Sequence, residues 1–107
     1  MSLSRGERRR RPTIPGSYVK RGLVEDRGLT QTALAEALGV SRRSVNQLIN
    51  GRRALTAEMA LRLGRLTDTS PEMWLNLQRA VDLWDAEQAL REEIARIEPL
   101  PQSDEAA

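Results

Sequence analysis

The chain has 107 residues, of which 39% are apolar and only three are aromatic, which suits one small aliphatic domain and not a large cavity or a catalytic cleft. It contains neither cysteine nor histidine, and this excludes a disulfide framework, a thiolate zinc site and the commonest general base. The net charge of +2 hides a division: residues 1–53 carry 12 Lys/Arg and 4 Asp/Glu, giving +8, and residues 54–107 carry 5 and 11, giving −6.

Residues 1–11 hold Arg5 and Arg8 through Arg11 with Gly6 and no apolar periodicity, so they read as a disordered basic arm. Such an arm is either an uncommitted tail or a source of extra affinity for a minor groove. It lacks the hydrophobic centre of a secretory leader, and no apolar run in the chain is long enough to span a membrane. A cytoplasmic protein is expected. Pro12 and Pro15-Gly16 break the chain. A first helix is expected from about Ser17 to Arg27, with Val19 and Leu23 four apart and Tyr18 and Val24 beside them. Gly22 inside it is unfavourable relative to Ala by up to ~1 kcal/mol, so it is expected to permit the close approach of another helix.

The stretch 29–53 is the most informative. Leu29, Ala33, Leu34, Ala35 and Leu38 have helical spacing. Thr30 stands where an N-cap belongs, and Gly39 suits a left-handed helix end. Val40 is placed to plug the corner that follows. Ser41 is a second N-cap, and Val45, Leu48 and Ile49 share one apolar face. The opposite face carries Arg42, Arg43, Ser44, Asn46, Gln47 and Asn50, and no acid occurs between Val40 and Ala57. Arg, Asn and Gln pair in bidentate fashion with guanine and adenine edges in the major groove. Two short helices around a glycine corner, the second dressed in this way, form a helix-turn-helix. The basic balance of this half agrees with phosphate binding.

After Gly51, Arg52, Arg53 and Ala54 form a loop. Thr56 caps a fourth helix, expected over 57–66 with Met59, Ala60, Leu63 and Leu66 as its buried stripe. Ser70-Pro71-Glu72 starts a fifth: a cap, a proline at the first helical position and an acid in the first turn. It is expected to run to Ile97, where Pro99 and Pro101 stop it. At ~100° per residue, Met73, Trp74, Leu77, Ala80, Val81 and Trp84 share one arc, and Leu83, Ala86, Leu90, Ile94 and Ile97 share a second, turned away from the first. The first arc covers the rest of the chain. The second calls for a symmetric copy or another protein, unless the end folds back or frays. Residues 99–107 carry no packing signal and are expected to be a disordered tail, leaving 12–98 as the folded domain.

From the residues alone the fold class is all-α, five helices with a long last one. The stretch 29–53 resembles the Xre/Cro-type helix-turn-helix family, whose fold is lambda-repressor-like. With the preceding Pro15-Gly16 and the following Ser70-Pro71-Glu72-Met73-Trp74-Leu75-Asn76-Leu77-Gln78 and Leu83-Trp84, residues 12–90 resemble the HigA (VapI-like) antitoxins. These are DNA-binding partners of small basic toxins that cleave mRNA. The resemblance implies double-stranded operator DNA as one partner, a HigB-like toxin as another, and repression of the protein's own operon as a homodimer. It also implies phosphate contacts at Gln31, Ser41, Arg52 and Arg53. Asn50 would extend that track, and Arg42, Arg43, Asn46 and Gln47 would read bases. Leu83, Ala86, Leu90, Ile94 and Ile97 are the expected dimer stripe, with an N-terminal or fourth-helix interface as the alternatives, and the toxin surface stays open between the first helix and the acidic fifth. No cofactor, metal or enzymatic role is expected: Lys20, the only lysine, has no evident partner, and Glu92 and Glu93 point to different faces. The alternative is a stand-alone Xre-type repressor without a toxin.

Overall fold

The structure, a computed structural model, describes residues 10–101. These residues form five helices and no strand: α1 Pro15–Val19, α2 Gln31–Leu38, α3 Arg42–Ile49, α4 Ala57–Thr67 and α5 Pro71–Ala95. The expected N-caps are in place. Thr30 Oγ1 accepts from Ala33 N at 3.0 Å, Ser41 Oγ from Ser44 N at 3.0 Å, and Thr56 Oγ1 from Met59 N at 3.2 Å. Ser70 Oγ accepts from Glu72 N at 3.1 Å. Each hydroxyl satisfies an amide that its helix leaves unpaired.

The first helix departs from expectation. It starts at Pro15 and not at Ser17, because proline presets φ and its missing N–H is one that a first turn never uses. It then continues without a break as a π turn over Lys20–Glu25, in which Asp26 N donates to Arg21 O at 2.9 Å. In this wider turn Leu23 is buried in the core and Val24 packs half-buried against it. The helix therefore ends at Glu25 and not at Arg27. The close approach lies at Gly16, not Gly22. A Cβ on Gly16 would strike the carbonyl of Leu48 and come within 2.9 Å of the Ile49 Cα, so α1 crosses α3 backbone to backbone. At Gly22 a Cβ would meet nothing within 4 Å.

Helices α2 and α3 end alike. Val40 N reaches Ala35 O at 3.0 Å and Gly39 N reaches Glu36 O at 3.1 Å; Arg52 N reaches Gln47 O at 2.8 Å and Gly51 N reaches Leu48 O at 3.2 Å. Gly39 and Gly51 have φ of +71° and +72°. This is the Schellman closure, in which a left-handed residue lets two further amides cap the last carbonyls. Asp68 takes the same conformation after α4, with φ +55°.

Val19, Leu34, Val45 and Leu63 fill the centre of the core, and α5 adds Trp74 and Val81. Three expectations fail at the edges. Leu66 is exposed; the fourth inward position of α4 is Gly64, where a Cβ would lie 2.8 Å from the Thr69 carbonyl. The start of α5 thus rests on α4 too closely for a side chain. Met73 also faces solvent, and Leu75 packs against the core in its place. Leu55, outside the expected stripes, is buried.

α5 ends at Ala95, two residues before Ile97, and Leu90 interrupts its helical dihedrals with φ −114° and ψ 15°. A 25-residue helix is about 37 Å long, more than the bundle can cover. The described chain measures 57 × 28 × 28 Å with a radius of gyration of 17.8 Å, against about 13 Å for a compact chain of 100 residues. Along the protruding part, Leu83, Ala86, Leu90 and Ile94 line a shallow groove of about 640 Å³. Ile97 beyond it is 67% exposed. Residues 99–101 carry no helix. The expected basic arm falls mostly on residues 1–9, and the expected tail mostly on 102–107; both stretches lie outside the described residues.

Candidate nucleic-acid interface

Helix α3 is sorted by face. Val45, Leu48 and Ile49 are buried, Arg42, Arg43, Asn46 and Asn50 are exposed, and Ser44 and Gln47 lie half-buried between them. All ten residues singled out for DNA fall on the start of α2, on α3 and its cap, or on the loop after it. The side chains of Arg42, Arg43 and Arg52 form no hydrogen bond or ion pair among the described residues, and no acid lies within 41–57. Their guanidinium groups therefore remain available to an outside acceptor.

The remaining residues are knitted together. Asn46 Nδ2 donates to Gln31 Oε1 at 3.1 Å, linking α3 to the start of α2. Arg53 folds back onto α3, with Nε donating to Gln47 Oε1 and an Nη donating to Ser44 Oγ, both at 3.1 Å. Ser41 Oγ donates to Ser44 Oγ at 2.9 Å, and Asn50 Nδ2 donates to Asn46 O at 3.0 Å. These pairs hold amide side chains in set orientations, with part of their bonding capacity unused. The result is an acid-free surface of fixed amides flanked by three unpaired guanidinium groups. It can offer donors and acceptors to base edges and donors to phosphate oxygens.

Three supporting residues were not read from the sequence. Arg62 on α4 donates to Leu38 O at 2.8 Å, locking the α2–α3 corner. Gln78 on α5 accepts from Leu55 N at 2.8 Å, fixing the end of the loop that carries Arg52 and Arg53. Gln78 lies just outside the inner apolar arc, about 40° beyond Trp74 at ~100° per residue, so the periodicity carried no signal for its role. Arg11 was assigned to the arm, yet its Nε and Nη2 each bond a different carboxylate oxygen of Asp85 at 2.8 Å. That bond holds the Asp85 carboxyl below its ordinary range. Arg11, Arg52, Arg53, Gln78 and Asp82 border one shallow cleft of about 120 Å³. Among the described residues no cluster of acids could hold a metal ion, and no helix is long and apolar enough to cross a membrane.

A family model described as Helix-turn-helix matches residues 21–74. Antitoxin HigA-1 of Vibrio cholerae is 46% identical over 92 residues, covering 86% of this chain and 87% of that protein. An uncharacterized HTH-type transcriptional regulator of Escherichia coli K12, YbaQ, is 50% identical over 91 residues, covering 83% of this chain and 80% of that one. Among solved structures, the Pseudomonas aeruginosa antitoxin HigA with the higBA promoter superposes with a TM-score of 0.80 at 39% identity. It covers 85% of this chain and 100% of its own.

Proposed function

The chain belongs to the helix-turn-helix family, in the group of the HigA antitoxins, and from that premise we infer that it binds operator DNA as a dimer and neutralises a small basic toxin. The observation that carries the DNA half is the face of α3: Arg42, Arg43, Asn46 and Gln47 on an acid-free surface, with Arg42 and Arg43 unpaired. A relative whose whole chain matches 85% of this one, and whose structure was solved with the higBA promoter, supports it. In this reading α3 enters the major groove and these four side chains read base edges. Gln31 and Ser41 stand at the N-termini of α2 and α3, where amide dipoles favour a phosphate. Ser44 and Asn50 brace this edge, and Arg52 and Arg53 continue the phosphate track. Two copies place their α3 helices in successive major grooves, about 34 Å apart on a pseudo-palindromic site. The copies pair through Leu83, Ala86, Leu90, Ile94 and Ile97. The chain has no catalytic role, and its work on DNA places it in the cytoplasm.

The likeness to HigA-1 supports the toxin half. A second reading, a repressor without a toxin, is favoured by the equal likeness to YbaQ, described only as a transcriptional regulator. One experiment separates them: co-expression of the tagged protein with its genomic neighbour, purification, and mass by light scattering. A small basic protein retained in stoichiometric amount establishes the antitoxin. A dimer that emerges alone and still shifts its own promoter is a plain repressor, and the toxin half falls.

A further inference from the structure

Beyond the two bonds from Arg53 back to α3, the loop after α3 depends on a distant helix to hold its shape. Its first amides are used by the Schellman closure of α3, which ends at Arg52. The next amide that the fold buries, that of Leu55, has no carbonyl to pair with, and a buried N–H left unpaired is costly. Its acceptor is Gln78 Oε1 on α5, 23 residues further on, at 2.8 Å. The other end of that side chain is fixed too, since Gln78 Nε2 donates to Asp82 Oδ1 at 2.8 Å. The two bonds choose one orientation of the amide: flipped, it would point its NH2 at the Leu55 N–H and its oxygen at a carboxylate. Gln78 and Asp82 lie beyond residues 21–74, so they are outside the matched helix-turn-helix module. They border the same cleft as Arg52 and Arg53.

We propose that Gln78, oriented by Asp82, is a positioning residue for DNA binding: by clasping the Leu55 amide it holds the loop so that Arg52 and Arg53 meet the phosphate backbone. This rests on the operator-binding reading above. Without the clasp, the loop must be ordered at the moment of binding, and affinity is lost to that cost. Because the loop faces phosphates and not bases, the loss falls equally on all sequences.

The test uses the full chain, with operator and unrelated duplexes titrated at several NaCl concentrations and hydrogen exchange of the Leu55 amide followed by NMR. Gln78→Met keeps the length of the side chain and removes both bonds. It is expected to fold, to exchange the Leu55 amide faster, and to bind both duplexes about tenfold more weakly. Gln78→Glu combined with Asp82→Asn keeps the acceptor for the Leu55 amide and replaces the second contact by an amide-to-carboxylate bond, so it should restore Leu55 protection, which a merely space-filling role would not require. A folded Gln78→Met with wild-type Leu55 exchange or wild-type affinity overturns the proposal. If that variant does not fold, Asp82→Ala decides. Faster Leu55 exchange with weaker binding supports the clasp, and no change in either overturns it. Arg52→Ala separates the two levels of inference. If it weakens binding while Gln78→Met does not, the clasp fails and the operator reading stands. If the wild-type chain binds no duplex at all, the operator reading fails, and the proposed role of Gln78 in DNA binding falls with it.

Discussion

Arg43 and Arg52 are both exposed and unpaired, yet they should answer differently to removal. Arg43 stands in the first turn of α3, the position proposed to read a base edge, and a guanidinium can take a guanine edge in two bonds. Arg43→Ala should lower operator affinity by about 1–3 kcal/mol and relax preference at one base pair. Titration of operators carrying single base changes checks this. Arg52 stands on the loop, where its proposed partner is a phosphate. Arg52→Ala should weaken every duplex alike and reduce the salt slope by about one, a result read from binding isotherms across NaCl concentrations. The side chains that face outward were legible because their types and the lack of acids are local facts. What Gln47 and Asn46 touch was not, because Arg53 and Gln31 reach them only once the helices are packed. Arg62 and Gln78 stayed hidden for the same reason: each serves a backbone group 23 or 24 residues away.

Helix existence was written locally, and four of the five elements start at the hydroxyl caps that announced them, whereas α1 starts at Pro15 without a side-chain cap. Their mutual spacing was not. Gly16 and Gly22 have the same side chain and lie six positions apart, and only the contact with Leu48 separates their roles. Gly16→Ala should push α1 off α3 and destabilise the fold by about 1–3 kcal/mol. Gly22→Ala enters open space and should be neutral or stabilising, by up to about 1 kcal/mol. Thermal unfolding of the two variants side by side checks both. The stripe of α4 shows the same limit: spacing named Leu66, but Thr69 and the start of α5 occupy the next face, so Gly64 turns inward. The six-residue π turn was likewise invisible to a period of 3.6.

The whole molecule is a compact head with a projecting helix, and its two ends are open to test by different means. Leu90→Asp with Ile94→Asp charges the exposed groove without touching the core. The pair should give a monomer by light scattering, leave the head folded, and weaken operator binding by separating the two α3 helices. At the head, the bidentate bond from Arg11 keeps the Asp85 carboxyl below its usual range. The folded state therefore gains from this bond at neutral pH, and the gain disappears as pH falls through the Asp85 value, below about 4. An NMR titration of the Asp85 carboxyl should show the lowered midpoint in the wild type and the ordinary one in Arg11→Ala. Pairing of two copies along the protruding stripe, as proposed, would also shape the response to dosage. Where occupancy of an operator requires two copies to meet first, it rises with nearly the square of their number while they are scarce. A twofold dilution then empties close to three quarters of the occupied sites, so such pairing at the far end of one helix would turn a gradual decline in abundance into an abrupt release.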